Sequence, residues 1–305
     1  MLTPSYDLDR IRLRVLSLGA GVQSTTLALM AAHGEVTPMP DLAVFADTGW
    51  EPARVYEHLQ WLSSDNVLPF PIHVVSAGNI REGLMRGARG ERWASIPAFT
   101  RTVTPAGTRI VHYDEDADGE KRPVGQRVLE RDEVAIGMIT RQCTTEYKLE
   151  PIRRHVRVLA GLGGRRSPAY PVVEQWIGIS TDEAIRMKPS FQAWQVNRWP
   201  LLEQRMSRSD CLVWLRQHGY PIPPKSACLG CPFHSNARWR QIRDEDPVGW
   251  SDAVEADRHI RTGFRGMRAE LYLHRSCVPL DQADLSDDSA QLDLWPLECE
   301  GMCGV

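Results

Sequence analysis

Two sets of residues have the types and spacing for chemistry: a turn rich in glycine and hydroxyls near the N-terminus, and cysteines in the second half of the chain. The turn is Ser17-Leu18-Gly19-Ala20-Gly21-Val22-Gln23-Ser24-Thr25, between an apolar run and a stretch with helical character. A strand, a small-residue turn and a helix N-terminus together make an anion site. Small residues let backbone N–H groups point inward, the first-turn donors lack intrahelical partners, and the helix dipole favours negative charge. The turn is neither G-x-x-x-x-G-K-[ST] nor G-x-G-x-x-G, because it has no lysine and its glycines are spaced differently. Taken alone, it also reads as a tight βα turn that binds nothing. The chain has seven cysteines, an odd number that does not suggest a disulfide scaffold. Cys228-Leu229-Gly230-Cys231 and Cys299-x-x-x-Cys303 suggest metal, cluster or thiol chemistry, whereas Cys211 and Cys277 sit in apolar contexts as structural thiols.

The elements that must position these groups follow an alternating rhythm. Residues 12–16 predict a buried strand and 24–33 a helix; 41–46 predict a second strand and 50–63 a helix with Pro52 in its first turn. Residues 71–75 predict a third strand and 80–86 a short helix. Strands alternating with helices mean an α/β fold with a doubly wound, mostly parallel sheet, Rossmann-like, with ligands at the C-terminal strand ends. The rhythm is lost over 87–133, an insertion that covers the site, meets a partner or merely decorates the fold. Within it, 100–113 predicts a hairpin around Pro105-Ala106-Gly107. Residues 136–159 read as largely helical and 172–179 as another strand. Ser207-Arg208-Ser209-Asp210 reads as a capping box for a helix that Gly219 ends. Residues 236–243 and 247–261 predict two helices broken at Asp246-Pro247. The expected division is an α/β domain over 1–205, which carries the glycine turn, and a helical, cysteine-containing region over 206–305.

Bulk properties bound the function. The 305 residues carry 42% hydrophobic and 25% charged side chains and a formal net charge of −3, which argues against a generic nucleic-acid coat. No apolar run approaches the roughly 20 residues of a membrane span, and the N-terminal residues lack a signal-peptide core, so a cytoplasmic location is expected. Of 36 basic residues, four are lysines, Lys121, Lys148, Lys188 and Lys225. The cluster Arg153, Arg154, Arg157, Arg165 and Arg166 reads as a solvated helix face or as a surface for a nucleic-acid backbone.

The glycine turn resembles the S-x-G-x-G-x-[DQ]-S pyrophosphate loop of the adenine nucleotide α-hydrolase superfamily, in particular the branch of sulfonucleotide (PAPS) reductases and their ATP-using relatives. Four further segments occur in that family's order. Asp47-Thr48-Gly49 is similar to its D-T-G segment, and Gly178-Ile179-Ser180-Thr181-Asp182-Glu183-x-x-Arg186 to its G-I-R-x-x-E-x-x-R segment, with Ser180 in place of an arginine. Arg198-Trp199-Pro200-Leu201 through Tyr220-Pro221-Ile222-Pro223 resembles the stretch that leads into its cysteine pair. Cys143-Thr144-x-x-x-Lys148-x-x-Pro151 resembles its C-[CT]-x-x-x-K-x-x-P element.

The resemblance implies that Ser17, Gly19, Ala20, Gly21, Gln23, Ser24, Thr25, Asp47, Thr48, Gly49, Gly178, Glu183 and Arg186 contact ATP or adenylyl sulfate. It implies that Cys143, Cys228 and Cys231 hold a [4Fe–4S] cluster, with zinc, aided by His234, as the alternative. Thr144 stands where the family has a second cysteine, so the fourth ligand is Cys299, Cys303 or an open iron position. Lys148 would put a cation near phosphate or cluster sulfur. Cys299 and Cys303 resemble, in part, a tail whose cysteine attacks sulfur. Gln23 replaces an aspartate common in ATP pyrophosphatases, so it could bind phosphate or a Mg²⁺-bound water without adding charge. The expected activity is ATP-dependent sulfur transfer, through an adenylated acceptor, to a nucleic acid or small molecule. The expected partners are a sulfur donor such as a cysteine desulfurase or thioredoxin-like protein and, as one option for assembly, a second copy of the chain. The alternatives are a sulfonucleotide reductase releasing sulfite, and a catalytically silent nucleotide-binding module in a DNA-modification or phage-defence complex.

Overall fold

A computed structural model describes residues 6–91, 96–115, 119–264 and 267–286. Its centre is a five-stranded sheet in the order β3-β2-β1-β8-β9, built from β1 (Leu13–Leu18), β2 (Leu42–Asp47), β3 (Ile72–Ser76), β8 (Val173–Ile177) and β9 (Gln195–Arg198). Every neighbouring pair is parallel. These strands are near-continuous apolar runs because the sheet is covered on both faces. Leu16, Leu18, Ala43 and Phe45 pack with α1 (Val22–Ala32), α2 (Ala53–Leu62) and α6 (Arg208–Gln217). Val15, Val44 and Ile177 face the other way, against Ile152 and Val156 of α4 (Glu150–Leu159). The expected doubly wound α/β architecture is present.

The strand order matters for function. The chain steps from β1 outward to β2 and β3, then returns to place β8 on the far side of β1. Such a reversal leaves a crevice outside the C-terminal ends of the two central strands.

A second core gathers α3 (Ile80–Ala88), α7 (Asn236–Glu245), α8 (Pro247–His259) and β10 (Glu270–Tyr272) around Leu84, Trp239, Ile260 and Leu271. Asp257, buried on α8, accepts the backbone N–H groups of Leu273 and Leu280 and pairs with Arg261, tying the later segments to that helix. The division between cores does not follow the expected boundary after residue 205. α6 packs on α1 in the first core, while α3 belongs to the second.

The insertion departs from expectation. β4 (Phe99–Thr104) pairs antiparallel with β7 (Glu133–Met138) and with β10, while β5 (Arg109–Glu115) and β6 (Lys121–Val128) form a separate ribbon. Residues 105–107 therefore bend the chain from one sheet into the next rather than closing a hairpin. Gly107 N–H donates to Leu129 O and Leu129 N–H to Thr108 O, which seals the ribbon's base. Both ribbon strands are edges, so Pro123 removes no needed donor. The expected helix over 136–159 is likewise shorter. Residues 136–138 belong to β7, and the helix begins as a π-helical turn, Thr144–Leu149, that runs into α4. Pro151 cannot donate an i→i−4 bond, and the widened turn just before it relieves that loss.

Other local expectations hold. Ser207 and Asp210 form a reciprocal capping box on α6, and Asp246 separates α7 from α8. Cys211 and Cys277 are buried. Among the described residues, no helix is long and apolar enough to cross a membrane.

Burial holds three histidines neutral: His58 and His274 at pKa values of about 4 and His234 at about 3, against an ordinary 6.5. The native state stays unprotonated there while the unfolded chain takes up protons below 6.5. Stability is therefore fully present above pH 6.5 and is lost as pH falls toward 4, by up to about 1.4 kcal/mol per pH unit for each histidine. Urea midpoints measured from pH 7 to 4 should fall steeply, and His58→Gln should remove about one proton from that slope. An unchanged slope in the variant would contradict the assignment.

Candidate functional site

Ser17, one residue before the end of β1, is fully buried, and Gln175 of β8 donates from its Nε2 to the Ser17 Oγ. The chain then turns through Ala20, which is left-handed at φ 57°, into Gly21, the N-cap of α1. No side chain caps this helix, so its first-turn N–H groups face the turn. The loop is held by Gly19 N–H donating to Ser24 Oγ at 3.1 Å and by Ser24 Oγ–H donating to Gly21 O at 3.4 Å.

Across the crevice, β8 leads through Gly178 into a 3-10 turn, Thr181–Arg186. A Cβ on Gly178 would stand 3.0 Å from both the N and Cα of Ser24, so any larger residue there would push the first turn of α1 away from the end of β8 by a few tenths of an ångström. Ser17, Gly19, Gln23 and Ser24 then face Gly178, Glu183 and Arg186 around one small polar pocket. Gln23 Nε2 donates to Glu183 Oε2 at 3.4 Å, and Arg186 pairs with Glu183. Gln23 Oε1 is buried without a hydrogen-bond partner. The donors fit a phosphate group: uncapped N–H groups and a buried guanidinium line one crevice at the reversal of strand order.

Some residues of the same motifs point elsewhere. Thr25 Oγ1 lies 3.0 Å from His58 Nε2, facing α2 rather than the crevice. Ala20 is wholly buried in the core. Asp47 Oδ1 accepts from Gly49 N–H and from the Tyr56 hydroxyl, which folds the turn after β2. Gly49, at φ 69°, fits against Asn79. Ser180 is buried, its Oγ donating to Asp182. None of these side chains lines the loop pocket.

Thr48 instead lines a second, mostly apolar pocket at the tip of β2. There Cys143, Cys228 and Cys231 meet Arg141 and Lys148. The Cys-x-x-Cys turn is fixed by Leu229 N–H donating to Trp50 O and Cys231 N–H donating to Cys228 O. A Cβ on Gly230 would lie 2.1 Å from the Trp50 ring, so the turn is clamped where a side chain has no room. Cys143 arrives from the start of the π-helical turn, which also carries Lys148.

The charges in this pocket are unusual. Glu51 is buried; its Oε1 accepts from Thr48 Oγ1 at 3.0 Å and sits 3.7 Å from Lys148 Nζ, while its Oε2 has no partner. Cys228 Sγ lies 3.2 Å from Thr48 Oγ1 and 3.6 Å from Glu51 Oε1. Burial, then the Glu51 carboxylate, pushes the Cys228 thiol well up from its ordinary value, and Lys148 opposes them. A metal centre bound there would supply the positive charge that favours the thiolate.

The spacing bears on which centre fits. Two thiolates on one tetrahedral zinc stand about 3.8 Å apart, given Zn–S bonds of about 2.3 Å. Among the described residues, the three ligand groups that close to within 4.8 Å belong to His33, Glu35 and His218, so the three thiols are more widely set. His234 Nε2 is engaged at 2.9 Å by Cys228 O and its ring packs edge-on against Trp239, which leaves its buried Nδ1 without a hydrogen-bond partner. Three soft ligands, apolar walls and two cations suit an iron–sulfur cluster, whose thiolate ligands carry negative charge.

Cys299 and Cys303 lie outside the described residues. In the basic cluster, Arg153 and Arg154 pair with Glu150, and Arg157 bonds Ser167 and the Leu162 and Arg165 carbonyls, so that arginine braces a loop. Sequence reasoning missed Glu51 and Arg141. Glu51 reads as an ordinary acid at a helix start, and Arg141 sits two residues before a cysteine with no spacing rule to single it out.

No protein-family model matches the chain, and no curated protein matches it.

The alkylation rate of Cys228 against pH should have its midpoint above the ordinary thiol value of about 8.5. Glu51→Gln should lower that midpoint by removing the nearby negative charge, and Lys148→Met should raise it. Peptide mass spectrometry after timed iodoacetamide exposure reads both shifts, and the opposite order would refute this electrostatic account.

Proposed function

We propose that the chain is a sulfonucleotide-reductase-like enzyme of the adenine nucleotide α-hydrolase type, with an adenine nucleotide in the loop pocket and an iron–sulfur cluster in the thiol pocket. The observation that carries this reading is the convergence of Cys143, Cys228 and Cys231 at the tip of β2, next to the strand that bears the loop. Cysteines 85 or more positions apart meet there with two cations, at the sheet edge where an open α/β fold binds ligands.

The activity we infer is ATP-dependent sulfur transfer. An oxygen of the acceptor attacks the α-phosphorus of ATP; its bond to that phosphorus forms as the bond to pyrophosphate breaks. The N–H groups around Gly19 to Ser24, with Arg186, stabilise charge growing on the departing pyrophosphate. Glu183 would offer a carboxylate to a magnesium ion bound with the nucleotide, beside the uncharged Gln23, and such an ion would offset phosphate charge. A sulfur nucleophile at the sulfide level then displaces AMP from the adenylated acceptor. A cluster held by the three cysteines would supply an iron able to bind that sulfur. Lys148 and Arg141 orient and offset the anionic groups, and Trp50, Ile80 and Pro232 keep water out. In the alternative route a persulfide on Cys299 or Cys303, loaded by a donor such as a cysteine desulfurase, attacks the adenylated acceptor as AMP leaves. The thiol of the other cysteine then cleaves the resulting S–S bond, releasing the thiolated acceptor and leaving a Cys299–Cys303 disulfide for an external thiol to reduce.

Protein purified without oxygen should hold iron and sulfide and absorb near 400 nm (roughly where thiolate-bound clusters absorb), and Cys143→Ser, Cys228→Ser and Cys231→Ser should each abolish that band. Zinc in its place would sink the cluster assignment. Pyrophosphate release that depends on an acceptor supports sulfur transfer. Sulfite from adenylyl sulfate and a thiol donor would establish the reductase instead, and ATP that binds without cleavage a silent module. Gly178→Ala should weaken ATP binding about tenfold, equivalent to about 1.4 kcal/mol; an unchanged Kd in isothermal titration would remove the loop pocket from the nucleotide site.

A further inference from the structure

A helix that follows a parallel strand runs back along it, so α1 and α6 both end far from the two pockets, at the opposite edge of the sheet. Their ends are built alike. His33 is the C-cap of α1, followed by left-handed Gly34 and by Glu35, whose N–H donates to Met30 O at 2.9 Å. His218 is the C-cap of α6, followed by left-handed Gly219 and by Tyr220, whose N–H donates to Leu215 O at 2.9 Å. The two packed helices thus present a His-Gly-Glu and a His-Gly-Tyr corner side by side. Ligand atoms of His33, Glu35 and His218 lie within 4.8 Å of one another.

We propose that these three side chains form a surface site for a divalent ion of the zinc type. Each ligand is aimed by a second group, as in metal sites where outer partners fix ring orientation and tautomer. His218 Nδ1 bonds Trp214 O at 2.8 Å, so Nδ1 carries the hydrogen and Nε2 offers its lone pair. Trp214 Nε1 donates to Glu35 Oε2 at 3.0 Å, leaving Oε1 to face His218 Nε2 at 3.7 Å. That gap is long for a hydrogen bond, and close to the roughly 3.3 Å separating two ligands on one tetrahedral zinc with bonds of about 2.0 Å. The His33 ring is held by Tyr220 Oη at 2.8 Å and lies edge-on to the Trp214 ring, while the His218 ring stacks on Trp214 at 3.9 Å.

The backbone adds to this. Two helix C-termini end here, and their partial negative charge favours a cation. Two imidazoles and one carboxylate suit zinc, nickel or cobalt rather than magnesium or calcium, which take oxygen ligands. Three protein ligands leave the remaining position to water. Neither helix end belongs to the nucleotide or thiol pocket, so the site stands whatever those pockets bind.

Zinc should be titrated into the reduced full chain against a chromophoric chelator, alongside Glu35→Gln, His33→Gln and His218→Gln. Zinc held by the thiols is common to all four proteins and cancels in the comparison. The wild type should hold one zinc that each variant binds at least tenfold more weakly. Glu35→Gln keeps an oxygen for the Trp214 indole, so its melting temperature in zinc-free buffer should match the wild type and exclude misfolding as the cause. Equal zinc content and affinity in wild type and variants, or a loss smaller than tenfold, overturns the proposal.

Discussion

The contact between Gly178 and the first turn of α1 sets the geometry on which the rest depends. β1 and β8 are neighbours, yet the chain leaves them toward different elements, and the first turn of α1 comes against the end of β8 where Gly178 has no side chain to hold it off. With 3.0 Å between the site of a Cβ and the Ser24 backbone, α1 is pressed against the end of β8 and its uncapped N-terminus opens into the crevice. The turn before it accepts strain to reach that position. Ala20 sits at φ 57°, a region where a residue with a Cβ costs of order 1–3 kcal/mol. Alanine there, rather than glycine, means that core packing around a wholly buried side chain outweighs the backbone cost.

One strand away, the governing term is electrostatic. Glu51 is buried with one oxygen satisfied by Thr48 and the other left without a partner, beside a buried Lys148 at 3.7 Å. An ion pair taken out of water recovers its desolvation cost only with good geometry and further hydrogen bonds. This one has neither in full, so stability alone does not account for it. Placed against the Cys228 thiol, the pair has a chemical consequence: the carboxylate holds the proton on sulfur and the ammonium favours its loss. A metal centre bound to the thiolate would shift that balance, with Lys148 and Arg141 as counter-charges to the ligands.

Much of the sheet was legible because buried parallel strands leave a plain trace: short apolar runs ended by Gly, Asp or Ser, as at 41–46 and 71–75. Helix ends marked by side-chain chemistry, such as Ser207 and Asp246, were equally readable. The errors came where pairing partners are distant in sequence. Residues 136–138 continue an apolar pattern that suits a helix, but β4, over 30 residues earlier, claims them as a strand. Pro105-Ala106-Gly107 carries true turn chemistry, yet the strands on either side pair with others. At the site, spacing named the residues but not their directions. Ser24 and Thr25 differ by one helical step of about 100°, which sends one hydroxyl to the loop and the other to His58. The shift from Asp47 to Thr48 does the same, turning the first into the β2 turn and the second into the thiol pocket.

Gln23 draws these strands of evidence together. Read along the chain, it puts an uncharged amide in the turn and no carboxylate beside it. In three dimensions its amide hands a hydrogen bond to Glu183, which brings a carboxylate to the same crevice from the other central strand. The crevice therefore still holds a carboxylate, and Arg186 on the same turn pairs with it. With its Nε2 spent on Glu183, the amide of Gln23 still has a buried, unpartnered Oε1. That atom accepts hydrogen bonds but donates none, so its natural partner is a donor such as a metal-bound water or a ribose hydroxyl rather than a bare phosphate oxygen. The crevice thus pairs an uncharged acceptor on the first turn of α1 with a carboxylate on the turn after β8.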